Sequence, residues 1–266
     1  NGIAIFGGMA MGAPMSIWMT KQCDMSITYV FIFMIALPII SFLFTARLKA
    51  PAIDKTKVRA PSYKVINRIL KQGLGLGFSS VAYGCIVSFI TLFFMEKKWG
   101  DASMAFLVFG ILYIITRIFF GYLPDKFGGY VVSLVSLIIE LVGQVIIVFS
   151  SSKIMAITGC GITGVGFSLV YPALGALVVK KINPEMRGTA LGAYAAFLDL
   201  AIGVTSPLAG WLAGLLNYQA VYLLGGISCL LAITTISARK RTNHFARPSC
   251  QYAEKDTSLT NSVLHK

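Results

Sequence analysis

Few residues in this chain can make or break bonds. Histidine occurs only twice, as His244 and His265, both in a polar tail. No HExxH pair and no Cys/His cluster with zinc spacing can be drawn, so no metal or other cofactor is expected. A nucleophile elbow and a Walker sequence are missing too. An enzyme would have little to work with. Cysteines number five, Cys23, Cys85, Cys160, Cys229 and Cys250. They are odd in number, scattered and without ligand spacing; Cys85, Cys160 and Cys229 fall in apolar runs and read as packing residues. Charge is scarce: 12% of residues are Asp, Glu, Lys or Arg, about half the usual share. The net charge of +13 raises the question of nucleic acid. The basic residues sit in loops between apolar runs, so nucleic acid is not an expected partner.

What the chain has is oil. Of its 266 residues 56% are hydrophobic, and the mean hydropathy is +0.78. Runs long enough to cross a bilayer, which takes about 20 apolar residues, recur throughout. The expected fold is an all-α polytopic membrane protein, a helical bundle embedded in a lipid bilayer. Eight spans are predicted, over 2–20, 26–46, 72–95, 102–123, 130–150, 154–179, 189–216 and 220–238. Four regions follow: two spans in 1–46, a central loop at 47–71, six spans in 72–238, and a polar tail at 239–266. The start at Asn1, without Met or a signal peptide, reads as truncated.

Loop charge predicts orientation. The loops 47–71, 124–129 and 180–188 and the tail hold 18 of the Lys and Arg residues; the opposite loops hold four. Basic loops stay inside, so the long loop and the C-terminus are expected to be cytoplasmic in a multi-pass protein of the cell membrane. Within the long loop Tyr63, Ile66, Ile69 and Leu70 recur at helical spacing among Lys64, Arg68 and Lys71. This fits a helix on the inner membrane surface and equally a flexible basic linker. A weak internal repeat, Gly8 to Pro14 in the first span and Gly203 to Gly210 in the seventh, fits duplicated six-span halves.

One polar stretch stands apart. Gly121-Tyr-Leu-Pro-Asp-Lys-Phe-Gly-Gly129 lies between two long apolar runs, and its length predicts a tight hairpin at one membrane face. Asp125 can cap a helix start, Lys126 can stay among headgroups, and Pro124 should break the helix before Asp125. The pattern Gly121-x-Leu-x-Asp125-Lys126-x-Gly128 resembles the loop signature of the major facilitator superfamily, G-x-L-x-D-R/K-x-G. In that family it stands between spans two and three and again, weaker, between eight and nine. Matched to the second copy, this chain holds spans five to twelve and lacks one to four. Gly8 and Gly12 of the first span fit a degraded form of the family's proton-antiporter motif. Pro14 is displaced by one residue and the final glycine pair is absent. The run Arg187 to Gly192, with Phe197-Leu-Asp199-Leu and Pro207, is similar to span eleven of bacterial efflux members. The resemblance implies a transporter, not an enzyme. Its partners would be small molecules and protons, and it would be monomeric when complete.

Three ionisable residues lie within spans: Arg117, Glu140 and Asp199. Each costs about 2.5–3.5 kcal/mol at mid-membrane, which makes each a functional candidate. Asp199 lies about ten residues, roughly 15 Å, into its span. It shares a face with Gly192, Ala195, Ala196, Gly203, Ser206, Gly210 and Gly214, small residues suited to close packing. It is the first candidate to bind and release a proton, against a structural acid paired with a basic or hydroxyl group. Glu140 is the second. It shares a stripe with Ser133, Ser136 and Gln144 that either lines a wet path or forms a hydrogen-bonded seam. The resemblance makes its helix span nine, normally on the outside. Arg117 either snorkels or pairs with an acid to latch the inner side. In the resemblance, Gly121, Asp125, Lys126 and Gly128 form a gate that holds neighbouring helices in one conformation. Gln72, Ser80, Tyr83, Ser168 and Tyr171 are the cavity-lining candidates, against ordinary interhelical hydrogen bonding; Tyr171-Pro172 marks a bend that exposes carbonyls. Asn183-Pro184-Glu185 reads as the capped start of the seventh span. The expected function is proton-coupled efflux of sugar-like or drug-like molecules. The alternatives are proton-linked uptake and a non-transporting membrane fragment.

Overall fold

A computed structural model describes residues 12, 15, 27–45 and 62–238. The first expected span apart from residues 12 and 15, the central loop to residue 61 and the tail from 239 lie outside the described residues. The described residues up to Ile236 belong to one compact unit. All regular structure described is helical: α1 (Ile27–Thr45), α2 (Ser62–Glu96), α3 (Ser103–Phe120), α4 (Leu123–Phe127), α5 (Gly129–Val148), α6 (Lys153–Lys181), α7 (Arg187–Leu215) and α8 (Tyr218–Ser237). In a bilayer the backbone must satisfy its own polar groups, and these apolar runs do so as helices. Six of them, α2, α3 and α5–α8, are long and apolar enough to cross a membrane; α1 contains a shorter apolar stretch, Met34–Phe44. The six coincide with the spans expected over 72–238. The described side chains of α1 are largely exposed, Phe42 and Phe44 most of all.

The bundle is knit around α6. Its most extensive neighbour is α5, then α3, and α2 packs along both α6 and α7. Glycine makes the α5–α6 approach possible. A Cβ on Gly166 would lie 2.5 Å from the backbone nitrogen of Glu140 and 2.6 Å from the carbonyl of Ser136. The two backbones therefore touch, the close packing that small residues allow between membrane helices. Aromatic residues fill the end near residues 96–101. The Phe93 ring meets Trp99 at 5.6 Å and Tyr222 at 5.3 Å, both edge-on. Aliphatic residues with Tyr194 fill the opposite end. Cys85, Cys160 and Cys229 are buried free thiols, as their apolar settings imply.

Three local expectations are corrected. Residues 62–71 are neither a linker nor a separate surface helix; they are the first turns of α2. Val65 and Ile69 are buried with Leu76 in the core, so the apolar face of the span runs on past the membrane-length segment. The stretch 124–129 is not a bare turn but contains α4, with Pro124 in its first turn, where a missing N–H costs nothing. The carbonyl of Tyr122 accepts from the nitrogens of Asp125 and Lys126 at 3.1 and 3.2 Å, and Asp125 caps no helix through its side chain. Gly128, at φ +85°, makes the reversal into α5, a conformation open to glycine. Finally, Pro184–Met186 is a 3-10 turn and α7 starts at Arg187; Asn183 makes no side-chain cap.

Candidate functional site

Glu140 sits at the centre of the bundle, fully buried. Its Oε2 accepts a 2.6 Å hydrogen bond from Ser79 Oγ on α2. One turn on, Gln144 Nε2 donates to Thr163 Oγ1 on α6 at 3.3 Å and to the carbonyl of Ala82 on α2 at 3.5 Å. Its Oε1 faces Gly225 on α8. Ser133 and Ser136 complete a stripe buried along its whole length. The stripe is thus a seam joining four helices rather than a wet channel. The helix that carries this acid has one exposed side and one buried side. α5 does turn Val131, Val135, Ile138 and Val142 outward, but its polar stripe points into the bundle. Among the described residues two acceptors in the seam, Glu140 Oε1 and Gln144 Oε1, have no hydrogen-bond partner, and neither has Tyr222 Oη. A carboxyl held this way can carry a proton, but no described path leads it to water.

Asp199 is in the opposite situation. It is exposed on α7, as are Gly192, Gly203 and Gly214 on the same face. Nothing stands within 4 Å of where a Cβ would project from those three glycines. Only 11% of the apolar window of α7 is buried within the bundle, against 61% for α2 and α6. Its buried residues, Ala190, Tyr194, Thr205 and Ala209, form a narrow stripe on the other side. The small-residue face expected to be packed around Asp199 is open at Gly192, Gly203 and Gly214 among the described residues, while Ser206 bonds to Ser88 on α2 at 2.9 Å and Gly210 stands against Phe89. Beside it, α2, α7 and α8 enclose an apolar groove of about 370 Å³ lined by Phe78, Val81, Phe197, Leu200 and Thr205.

Arg117 neither snorkels outward nor pairs with an acid among the described residues. Its Nη1 donates to the carbonyl of Ser168 on α6 at 2.9 Å. The reason lies four residues further along α6. Pro172 has no N–H, so the carbonyl at 168 loses its helical partner and is free to accept. The side chain of a helical residue leans toward the helix N-terminus, here away from the 121–128 loop. Arg117 therefore bonds within the bundle, to α6, and makes no ion pair with the gate residue Asp125. Asp125 and Lys126 are exposed on α4 and form no ion pair among the described residues; Lys126 Nζ lies 5.4 Å from the ring centre of Phe127.

The cavity candidates divide, and none lines a described groove. Gln72 is buried and accepts from Lys181 Nζ at 3.1 Å. Ser80 donates to its own helix at Leu76. Tyr83 stacks on Phe167, centroids 4.9 Å apart. Ser168 Oγ donates to the carbonyl of Tyr113 at 2.9 Å. Tyr171 is half-buried, its carbonyl accepting from Tyr194 Oη at 2.9 Å. Ordinary interhelical bonding accounts for three of the five, Gln72, Ser168 and Tyr171. Sequence reasoning missed Ser79, Thr163 and Tyr194. Ser79 had a signal: Ile69, Gln72, Leu76, Ser79, Tyr83 and Ile86 follow three-four spacing and are all buried.

Comparison with known proteins matches residues 72–262 to the family model described as Major Facilitator Superfamily. The chain is 35% identical over 238 residues to an MFS-type transporter of Burkholderia mallei, covering 89% of this chain and 58% of that protein. A second MFS-type transporter, from Salmonella typhimurium, is 34% identical over 236 residues, covering 89% of this chain and 60% of the relative. The chain thus spans about three-fifths of the length of these curated relatives.

Proposed function

The chain belongs to the major facilitator superfamily, and on that premise we propose that it is the larger part of a proton-coupled secondary transporter exporting small organic molecules, sugar-like or drug-like. Members of this family carry solutes across membranes and are not enzymes. In this reading residues 1–46 are the last two spans of a first half, 72–238 are the second six-span half, and the full-length protein has four more spans before Asn1. The protein works as a monomer in the cell membrane, with the C-terminus and the 121–128 loop cytoplasmic.

The observation that carries the proposal is the open face of α7. A row of small residues with one exposed carboxylate, Asp199, suits a second bundle that packs closely and then shifts. Asp199 takes the coupling role because a coupling acid must meet water from each side in turn. Glu140, sealed in the seam, is the second candidate and serves better as a structural acid. Asp125 and Lys126, free of ion pairs among the described residues, hold the first half in one conformation and release it in the other. Gly121 and Gly128 shape that loop.

Two experiments follow. Full-length protein in lipid vesicles with an acidic interior is expected to take up a labelled sugar or drug-like solute at least tenfold faster than without the gradient. Equal rates would contradict proton coupling. For orientation, single cysteines at positions 62 and 98, in a background without the native thiols, should react with impermeant reagent from opposite sides. Reaction of both from one side would break the topology.

A further inference from the structure

Glu140 and Gln144 stand one turn apart on the buried stripe of α5, and each ends in an enclosed oxygen without a hydrogen-bond partner among the described residues. The amide of Gln144 has one sensible orientation. Its Nε2 faces two acceptors, the carbonyl of Ala82 and Thr163 Oγ1, and the Thr163 hydroxyl already donates to the carbonyl of Gly159 at 2.9 Å. Turning the amide over would set oxygen against oxygen twice, so Gln144 Oε1 needs a donor from elsewhere. Side chains four residues apart on a helix have Cβ atoms about 5–6 Å apart. That of Gln144 leans back toward the turn that carries Glu140. Ser79 engages Glu140 Oε2, which leaves Oε1. The groups around this carboxyl are neutral: the Ser79 hydroxyl from α2, the backbone at Gly166 from α6 and the Cys229 thiol from α8. The charged residues of α4, Asp125 and Lys126, are exposed. An ionised carboxylate enclosed by neutral groups is costly, and neutralising it removes the cost.

We propose that Glu140 is a neutral carboxylic acid in the folded protein, its Oε1–H donating to Gln144 Oε1, so that the seam is a fixed proton-binding site. One proton gives both enclosed oxygens a partner. It also completes a chain of hydrogen bonds from Ser79 through Glu140, Gln144 and Thr163 to the carbonyl of Gly159, which ties α2, α5 and α6 together. The fold holds this proton and does not pass it on, in contrast to one on the exposed carboxyl of Asp199. The proposal concerns the folded state and stands apart from the transporter reading.

The test is proton linkage. In the unfolded chain a glutamate releases its proton near about pH 4.3. Above that pH the folded state holds one proton more, so its advantage falls about tenfold per pH unit. Full-length protein is unfolded reversibly in mixed micelles, as wild type and as Glu140→Gln, whose amide keeps a donor and has nothing to titrate. From about pH 6 to about pH 8 the wild-type folding constant should fall about a hundredfold relative to the variant. A ratio that does not change with pH overturns the proposal. If the Gln variant does not fold, infrared spectra of protein with carbon-13-labelled glutamate decide. Wild type should show a carboxylic-acid carbonyl band at about pH 8, and Gln144→Leu should shift it by freeing the hydroxyl. An absent band, or one that Gln144→Leu leaves in place, overturns the proposal. Exchanging sodium for choline should change nothing. A sodium dependence of folding that Glu140→Gln removes would put a metal ion between the two oxygens, and would overturn it too.

Discussion

Gly166→Leu is expected to destabilise the 266-residue chain by about 3 kcal/mol, the upper part of the range for overpacking. The midpoint should fall by about 6–12 °C for a chain of this size. The position meets backbone, not flexible side chain: a Cβ there runs into Glu140 N at 2.5 Å and Glu140 Cα at 2.8 Å. Backbone atoms in a helix cannot step aside singly, so α5 and α6 must separate. Separation also pulls at the seam beneath, where Ser79, Gln144 and Thr163 bridge helices. The buried thiols supply the readout, since Cys85, Cys160 and Cys229 react with a thiol dye only as the bundle opens. Gly192→Leu is the control. Nothing lies within 4 Å of that site, and its change should stay within about 0.5 kcal/mol. Equal losses at both positions would show that the α5–α6 contact has no special role.

Asp199→Asn should abolish proton-driven flux in the full-length protein, by at least about a hundredfold, while leaving exchange of solute across the membrane within about threefold of wild type. The substitution keeps the side chain's size and removes the titratable proton. If Asp199 carries the coupling proton, the variant can still bind solute and rock between conformations but cannot link that motion to a gradient. Glu140→Gln is expected to leave coupling intact, because the buried acid has no described access to water. Its amide oxygen can still accept from Ser79. Loss of coupling in Glu140→Gln with retention in Asp199→Asn would reverse the assignment.

The spans were legible because the apolar runs are long and interrupted by charge, and a bilayer admits few alternatives. The start of α2 was not. Basic residues such as Arg68 and Lys71 look like loop, yet they ride on the exposed side of turns that bury Val65 and Ile69. The acid stripe on α5 was visible at its three-four spacing. Its partner could not be chosen locally, because Ser79 and Ser80 differ by about 100° around one helix and only packing decides which meets Glu140. Pro172 points to a freed carbonyl at Ser168 by helix geometry alone. That the donor is Arg117, fifty-one residues away, follows from how α3 lies on α6.

The most direct measurement is the steady-state solute gradient held by the full-length protein in vesicles at a series of pH differences, with the membrane potential clamped at zero. One-for-one proton antiport at Asp199 predicts a tenfold gradient per pH unit, about 1.4 kcal/mol, with solute concentrated on the acidic side. In Asp199→Asn it should stay at unity. A wild-type gradient that remains at unity, or that builds on the alkaline side, would contradict the account.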